Sequence, residues 1–155
     1  MLRIGLISDT HNLLRPEALA FLQGCDHILH AGDVCDGAVL DALAALAPLT
    51  AVRGNNDRGA WAARLRETER VELGGVRIYL LHDLAQIDID PAAAGVHVVV
   101  SGHSHQPFID ERDGVLFVNP GSAGPRRFRL PIAAGELRIA DGAVEASLVD
   151  LVATA

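Results

Sequence analysis

The sequence predicts a single α/β domain, residues 1–155, in which two mixed β-sheets pack as a sandwich flanked by helices. Three observations carry this. The first third of the chain alternates short apolar runs with helix-like segments, the pattern of βαβ units joined by right-handed crossovers. Further on, strand-like runs stand in pairs around Gly74-Gly75, Asp113-Gly114 and Asp141-Gly142, which is the turn chemistry of hairpins. Finally, 155 residues that are 50% hydrophobic and 21% charged can bury one continuous core, and no linker, low-complexity run or repeat marks a second domain.

In chain order, "LRIGLIS" (residues 2–8) is apolar enough for a strand covered on both faces. Polar "DTHN" follows at once. "PEALAFLQG" starts with Pro16, carries Glu17 in its first turn and ends at Gly24, so it reads as a short helix. "DHILHAGD" (26–33) is a second strand, and the segment from Asp36 to just before Pro48 a second helix. "LTAVRGNND" (49–57) is a third strand running into a polar loop. "RVELGGVRIYLLHD" (70–83) and "QPFIDERDGVLFVNPGS" (106–122) each supply two strands about a turn. Between them an apolar run ends at "VSGHSHQPF" (100–108), and residues 132–151 suggest a last hairpin.

Composition narrows the function. With 13 Lys and Arg against 20 Asp and Glu, the net charge of −7 argues against broad electrostatic binding to nucleic acid or to an anionic membrane. An anionic substrate would have to be attracted locally. Cys25 and Cys35 form no CxxC pair and read as reduced thiols. Asp9 arrives too early for the apolar stretch of a secretory signal, and no apolar run approaches the ~20 residues of a membrane span. A cytoplasmic protein is expected.

The chemistry lies just beyond the apolar strands. Asp9, His11, Asp33, Asn55, His82, His103 and His105 each follow such a strand, and in an α/β sheet the carboxyl ends of the strands line one crevice. Carboxylates and imidazoles without thiolates suit borderline divalent ions better than calcium or magnesium. Seven ligands exceed what one ion takes while keeping a reactive position open, but they suit two ions sharing a carboxylate. Two such ions against Asp9 and Asp33 leave about +2 locally, the attraction that the acidic chain otherwise lacks. Two ions roughly 3.5–4 Å apart stabilise the attacking and leaving oxygens of phosphoryl transfer, so the site is expected to hydrolyse phosphate esters.

The ordered motifs "DTH", "GD", "GNND", a lone strand-end His and "GHSH" resemble the calcineurin-like metallophosphoesterase superfamily. The short length and "NPGS" followed by "PRR" are similar to its small bacterial and archaeal phosphodiesterase branch. The resemblance implies that Asp9, His11 and His105 hold one ion, that Asn55, His82 and His103 hold the other, and that Asp33 bridges them. It also implies a metal-bridging hydroxide attacking phosphorus in line, with Asp9, Asp33, Asn55, His82 and His103 as the catalytic set. The cofactors would be two divalent transition-metal ions, manganese first, with nickel, zinc, iron or cobalt as alternatives. The partner would be a small phosphodiester, and a homo-oligomer stays open.

Two positions depart from the family pattern. Asn56 stands where many members carry a His that assists the leaving group, which predicts a preference for activated diesters. Asp83 stands where Gly is common, either orienting an imidazole or serving as a loop acid. Asn56 and Arg126 are the expected substrate contacts, Arg126 because the related branch carries "PR" there. His27, His30 and His97 are expected to be hydrogen-bonded structural residues, with His30 placed to support Asp33. Asn119 and Ser122 read as a strand exit and turn. A catalytically silent protein-binding scaffold, like the retromer's metallophosphoesterase-like subunit, and a phosphomonoesterase are the competing readings.

Overall fold

A computed structural model describes residues 1–152. The chain runs β1 (Leu2–Ile7), α1 (Pro16–Leu22), β2 (His27–His30), α2 (Gly37–Ala44), β3 (Leu49–Ala51), β4 (Thr68–Leu73), β5 (Val76–Leu81), β6 (Val98–Val100), β7 (Phe108–Arg112), β8 (Val115–Asn119), β9 (Ala133–Ala140) and β10 (Ala143–Asp150). These strands form two five-stranded sheets, ordered β10-β9-β1-β2-β3 and β4-β5-β6-β8-β7. Both are mixed. β1, β2 and β3 run parallel, as do β5, β6 and β8, while the hairpin strands add antiparallel edges.

Period-two alternation sorts the side chains between the layers. Ile4, Leu6, Leu29 and Ala31 of the first sheet face Ile78, Leu80, Val98, Val100 and Val118 of the second, all buried in one cluster. On the outer face of the first sheet, Ile7 and Ile28 meet Ala18 and Leu22 of α1 and Val39 and Leu43 of α2. Truncating one of the fully buried leucines here, such as Leu6→Ala, would cost about 2–5 kcal/mol.

Among the described residues, helices cover only that first sheet. The outer face of the second, built on Tyr79, Val99 and Phe117, is closed by Leu84, Ile87 and Ile89 from a single 3-10 turn and the loop after it. The second helix is also shorter than its sequence pattern. Asp36 caps it from outside by accepting the Ala38 N–H, and the last residues before Pro48 tighten into turn bonds after Ala44. Proline's restriction on the residue before it accounts for that early stop. The parallel strands β1, β2, β5 and β6 all end at the same edge, where the polar segments emerge.

Candidate metal centre

Asp9 and His11 leave the end of β1, Asp33 follows β2, Asn55 follows β3, His82 follows β5, and His103 and His105 follow β6. The structure gathers them into two adjoining groups that share Asp33. In the first, Asp9, His11 and His105 offer ligand atoms within 4.8 Å of one another; in the second, Asp33, His82 and His103 do the same. Asn55 joins the second group, its Oδ1 lying 3.0 Å from His82 Nε2 and 3.2 Å from His103 Nδ1.

One Asp33 oxygen stands between the groups. Its Oδ2 is 3.6 Å from His11 Nε2 and 3.3 Å from His82 Nε2. Burial alone would raise this carboxyl, but hydrogen bonding to His82 and to the Asn56 N–H, with the charges of His82 and His11, holds it below the usual carboxylate range. Asp33 is therefore an anion poised between two imidazoles. Asn56 clamps it, donating its backbone N–H to Oδ1 at 2.9 Å and its side-chain amide to Oδ2 at 3.1 Å.

The donor chemistry fits a cation in each group. His82 Nδ1 lies 2.7 Å from the Ala31 carbonyl and donates its proton there, which turns Nε2 toward the site. Nε2 stands among Asn55 Oδ1, His103 Nδ1 at 3.2 Å and the ionised Asp33 Oδ2, a cluster satisfied by a positive charge at its centre, either a proton on Nε2 or a metal cation in its place. Burial lowers the His82 pKa, yet the Asp33 hydrogen bond and the Asp9 charge outweigh it and raise the net value. In the other group, Asp9 Oδ1, His11 Nε2 and His105 Nδ1 are buried without any hydrogen-bond partner. Buried polar atoms are almost always paired, and Asp9 Oδ1, 3.8 Å from His11 Nε2 and 3.5 Å from His105 Nε2, stands in a gap that suits a divalent ion. Burial, then the charges of Arg127 and His11, pushes His105 down to about 4, so it is a neutral lone-pair donor at ordinary pH. Asp9 is shifted upward by burial.

The backbone is bent to aim these groups. Asp9, His11, Asp33, His103 and His105 all have φ between 45° and 70°. Left-handed backbone costs non-glycine residues of order 1 kcal/mol each and collects at functional sites. Gly102 makes the last turn feasible, because a Cβ there would overlap Ser8 Oγ. Ser104 turns away between the two histidines, its Oγ accepting from Gln106 N and Asn119 Nδ2 at 3.2 Å.

Several positioning residues escape a reading by residue order. Asp57 is buried, and its carboxylate accepts N–H bonds from Asp33 (3.0 Å), Gly54 (2.8 Å) and Cys35 (2.7 Å), tying two ligand loops together. Ser8 Oγ donates to Asp9 Oδ2 at 2.7 Å and leaves Oδ1 free. Asn119 donates to the Gly102 carbonyl at 3.0 Å, and Ser122 Oγ to the Asp9 carbonyl at 3.0 Å, so "NPGS" is both a strand exit and a brace for the site. His30 does not touch Asp33. Its Nδ1 accepts the Gly32 N–H and its Nε2 meets Thr10 Oγ1, so it fixes the backbone on either side. Asp83 caps the 3-10 turn through the Ala85 N–H, with its other oxygen 3.9 Å from His103 Nε2. His27 pairs with Thr50 and His97 with the Arg77 N–H, both structural. Arg126 is exposed and reaches only the Leu130 carbonyl, at 3.4 Å.

A cavity of about 620 Å³ opens beside Asn55, His82 and His103, with Arg53, Arg58, Thr68, Gln86 and Asp88 on its walls. It gives a substrate access to the second group.

The sequence and the fold are similar to those of known proteins. Residues 2–142 match the calcineurin-like phosphoesterase superfamily domain. A probable metallophosphoesterase of Methanocaldococcus jannaschii is 34% identical over 96% of this chain and 81% of its own length. A phosphodiesterase of the same organism is 28% identical over 77% of this chain and 83% of its own. Among solved structures, Vps29 of Entamoeba histolytica complexed with zinc superposes with a TM-score of 0.73 at 26% identity, over 97% of this chain and 99% of that one. The chain belongs to the calcineurin-like phosphoesterase superfamily.

Proposed function

We propose that residues 1–155 form one catalytic domain, a two-metal phosphodiesterase acting on small diesters in the cytoplasm. The observation that carries this is the meeting of two ligand groups at a single Asp33 oxygen, one of them holding buried side-chain atoms without a partner. Asp9, His11 and His105 would hold one divalent ion and Asn55, His82 and His103 the other, with Asp33 between them. When bound, such ions supply a nucleophile from water near neutral pH and neutralise charge on the phosphoryl oxygens. Manganese is the first choice, with nickel, zinc, iron and cobalt sharing the same ligand preferences.

The chain's own residues do the rest. Asn56 keeps the Asp33 carboxylate ionised and aimed, and Asp57 holds the Asp33 backbone through its N–H. The Ala31 carbonyl holds the His82 Nδ1 proton, so Nε2 faces the site. Asn56 has no titratable proton for a departing alkoxide, and its amide is engaged with Asp33. Esters with weakly basic leaving groups are therefore favoured. Arg126, on the exposed loop after Pro125, is the substrate-side cation in this reading, serving the phosphate oxygens. Each copy supplies all seven ligands, so a homo-oligomer would not be needed to complete the centre.

The test adds each ion back to stripped protein with bis-p-nitrophenyl phosphate and p-nitrophenyl phosphate in parallel. Metal-dependent turnover that favours the diester supports the reading; faster turnover of the monoester would make the protein a phosphomonoesterase. The likeness to Vps29 supports one alternative, a scaffold. Tight zinc uptake without turnover of either ester would select it.

A further inference from the structure

The turn from Arg126 to Leu130 combines features that packing does not explain. Phe128 is 89% exposed, the most exposed large apolar side chain among the described residues. Single exposed apolar residues are ordinary. This one also has φ +54°, where a bulky residue is an outlier. The Leu130 N–H bonds the Arg127 carbonyl at 3.1 Å, so Phe128 fills the first central position of a tight turn, and positive φ at that position favours glycine. The chain thus accepts backbone strain at Phe128 without burying its ring. Strain held without a packing gain is the mark of a functional position.

The turn is rooted on the metal centre. A Cβ at Gly124 would overlap the Thr10 and Asp9 carbonyls, so the segment passes in direct contact with the turn that carries Asp9 and His11. The Ala123 N–H bonds the Ser8 carbonyl at 3.0 Å, and Arg15 Nε reaches the Gly124 carbonyl at 3.3 Å. Arg127 stands three residues beyond Gly124 and its carbonyl closes the turn to Leu130. Arg126 spans the turn from Nη1 to the Leu130 carbonyl and braces it. No Asp or Glu occurs between Ser122 and Gly135, whereas the chain as a whole carries −7. An exposed ring beside exposed guanidinium groups is the pairing that holds a nucleotide, with the ring stacking on the base and the cation meeting a phosphate oxygen.

Resting on the phosphodiesterase reading, we propose that Arg127 and Phe128 grip the nucleoside substituent of a phosphodiester, so that the substrates are nucleotide diesters rather than simple alkyl ones. Phe128 stacks on the base while the ester phosphate lies over the ligand cluster. Arg127 adds a second guanidinium contact to that phosphate beside Arg126.

The test compares kcat/KM for p-nitrophenyl thymidine 5′-phosphate and methyl p-nitrophenyl phosphate, which release the same leaving group. The wild type is expected to prefer the thymidine ester by about tenfold, the scale of one exposed base–aromatic stack. Phe128→Ala should abolish the preference, Phe128→Trp should keep it, and Ile109→Ala, an exposed apolar control on β7, should leave it as in the wild type. Absence of a preference in the wild type, or its survival in Phe128→Ala, would overturn the proposal. Release of p-nitrophenolate from neither ester would instead count against the phosphodiesterase reading. Equilibrium dialysis of thymidine 5′-phosphate against the metal-loaded protein then decides on binding alone, with about tenfold weakening in Phe128→Ala expected and equal binding contradicting the proposal. Phe128-dependent sedimentation with phosphatidylglycerol vesicles, without any thymidine preference, would overturn it in favour of a lipid surface.

Discussion

The two halves of the metal centre use similar ligands in opposite surroundings. Asp9 and His105 are buried, their free atoms unpartnered, and their loops pinned by Ser8, Ser122 and the His30–Thr10 contact. Asn55 and His103 are exposed, bond to each other and to His82, and border the cavity. A buried, rigid donor set binds an ion tightly because little must be ordered or displaced on binding. An open set exchanges water and ligands easily. The comparison teaches a division of labour for the proposed function: the first half would anchor an ion and the second would meet the substrate, with Asp33 coupling them.

The largest expected effect comes from removing that coupling. Asp33→Asn should lower metal-dependent diester hydrolysis by at least about a thousandfold, read as initial rates with bis-p-nitrophenyl phosphate. A small loss would mean that the halves act separately.

Acid should act on the buried half. His30 is fully buried and pushed down to about 3 by burial, then by the nearby His82 charge. Its Nδ1 already accepts the Gly32 N–H, so a proton there would break that bond. Between pH about 6.5 and 3 the unfolded chain binds a proton that the folded chain excludes. Stability of the metal-free protein therefore falls as pH drops through that window, by up to a few kcal/mol, and the loss saturates below about 3. Urea midpoints at pH 7 and pH 4 measure it. His30→Gln should flatten the dependence, and an unchanged slope would assign it to other groups.

Asp57→Asn keeps the shape but replaces one of the two carboxylate acceptors for the Asp33, Gly54 and Cys35 N–H groups with an amide donor. Roughly tenfold weaker metal binding at the Asp33 side is expected, with Asp57→Glu intermediate. Smaller still, Asn56→His should raise turnover of alkyl diesters relative to aryl ones by a fewfold, on the order of the low end of general-acid assistance. A flat response would show that the position matters only through its clamp on Asp33.

Most of the fold could be read from local pattern. The βαβ alternation, the three glycine-marked turns and the strand-end ligands are all signals within a few residues. Asp9, His11 and "GHSH" stand out because polar residues directly after buried strands have few other places to go. What stayed hidden depends on loops meeting in space. Asp57 reads as the tail of a turn, and only the folded chain brings the Asp33 and Cys35 N–H groups to it. Ser8 and Asn119 are equally unmarked, and so is the irregular cover over Tyr79 and Val99, whose apolar residues carry no helical period. The one available signal for Asp57 was its place in "GNND", an acid at the close of a turn rich in backbone donors.

The most direct test of the division between the halves is a metal titration. Stripped wild-type protein, His105→Ala and His103→Ala are each titrated with manganese, following bound ion per chain and diester hydrolysis at every step. The account predicts two ions in two steps in the wild type, with hydrolysis appearing at the second. His105→Ala should lose the tighter step and His103→Ala the weaker one. A single ion, equal steps, or loss of the tighter step in His103→Ala would contradict it.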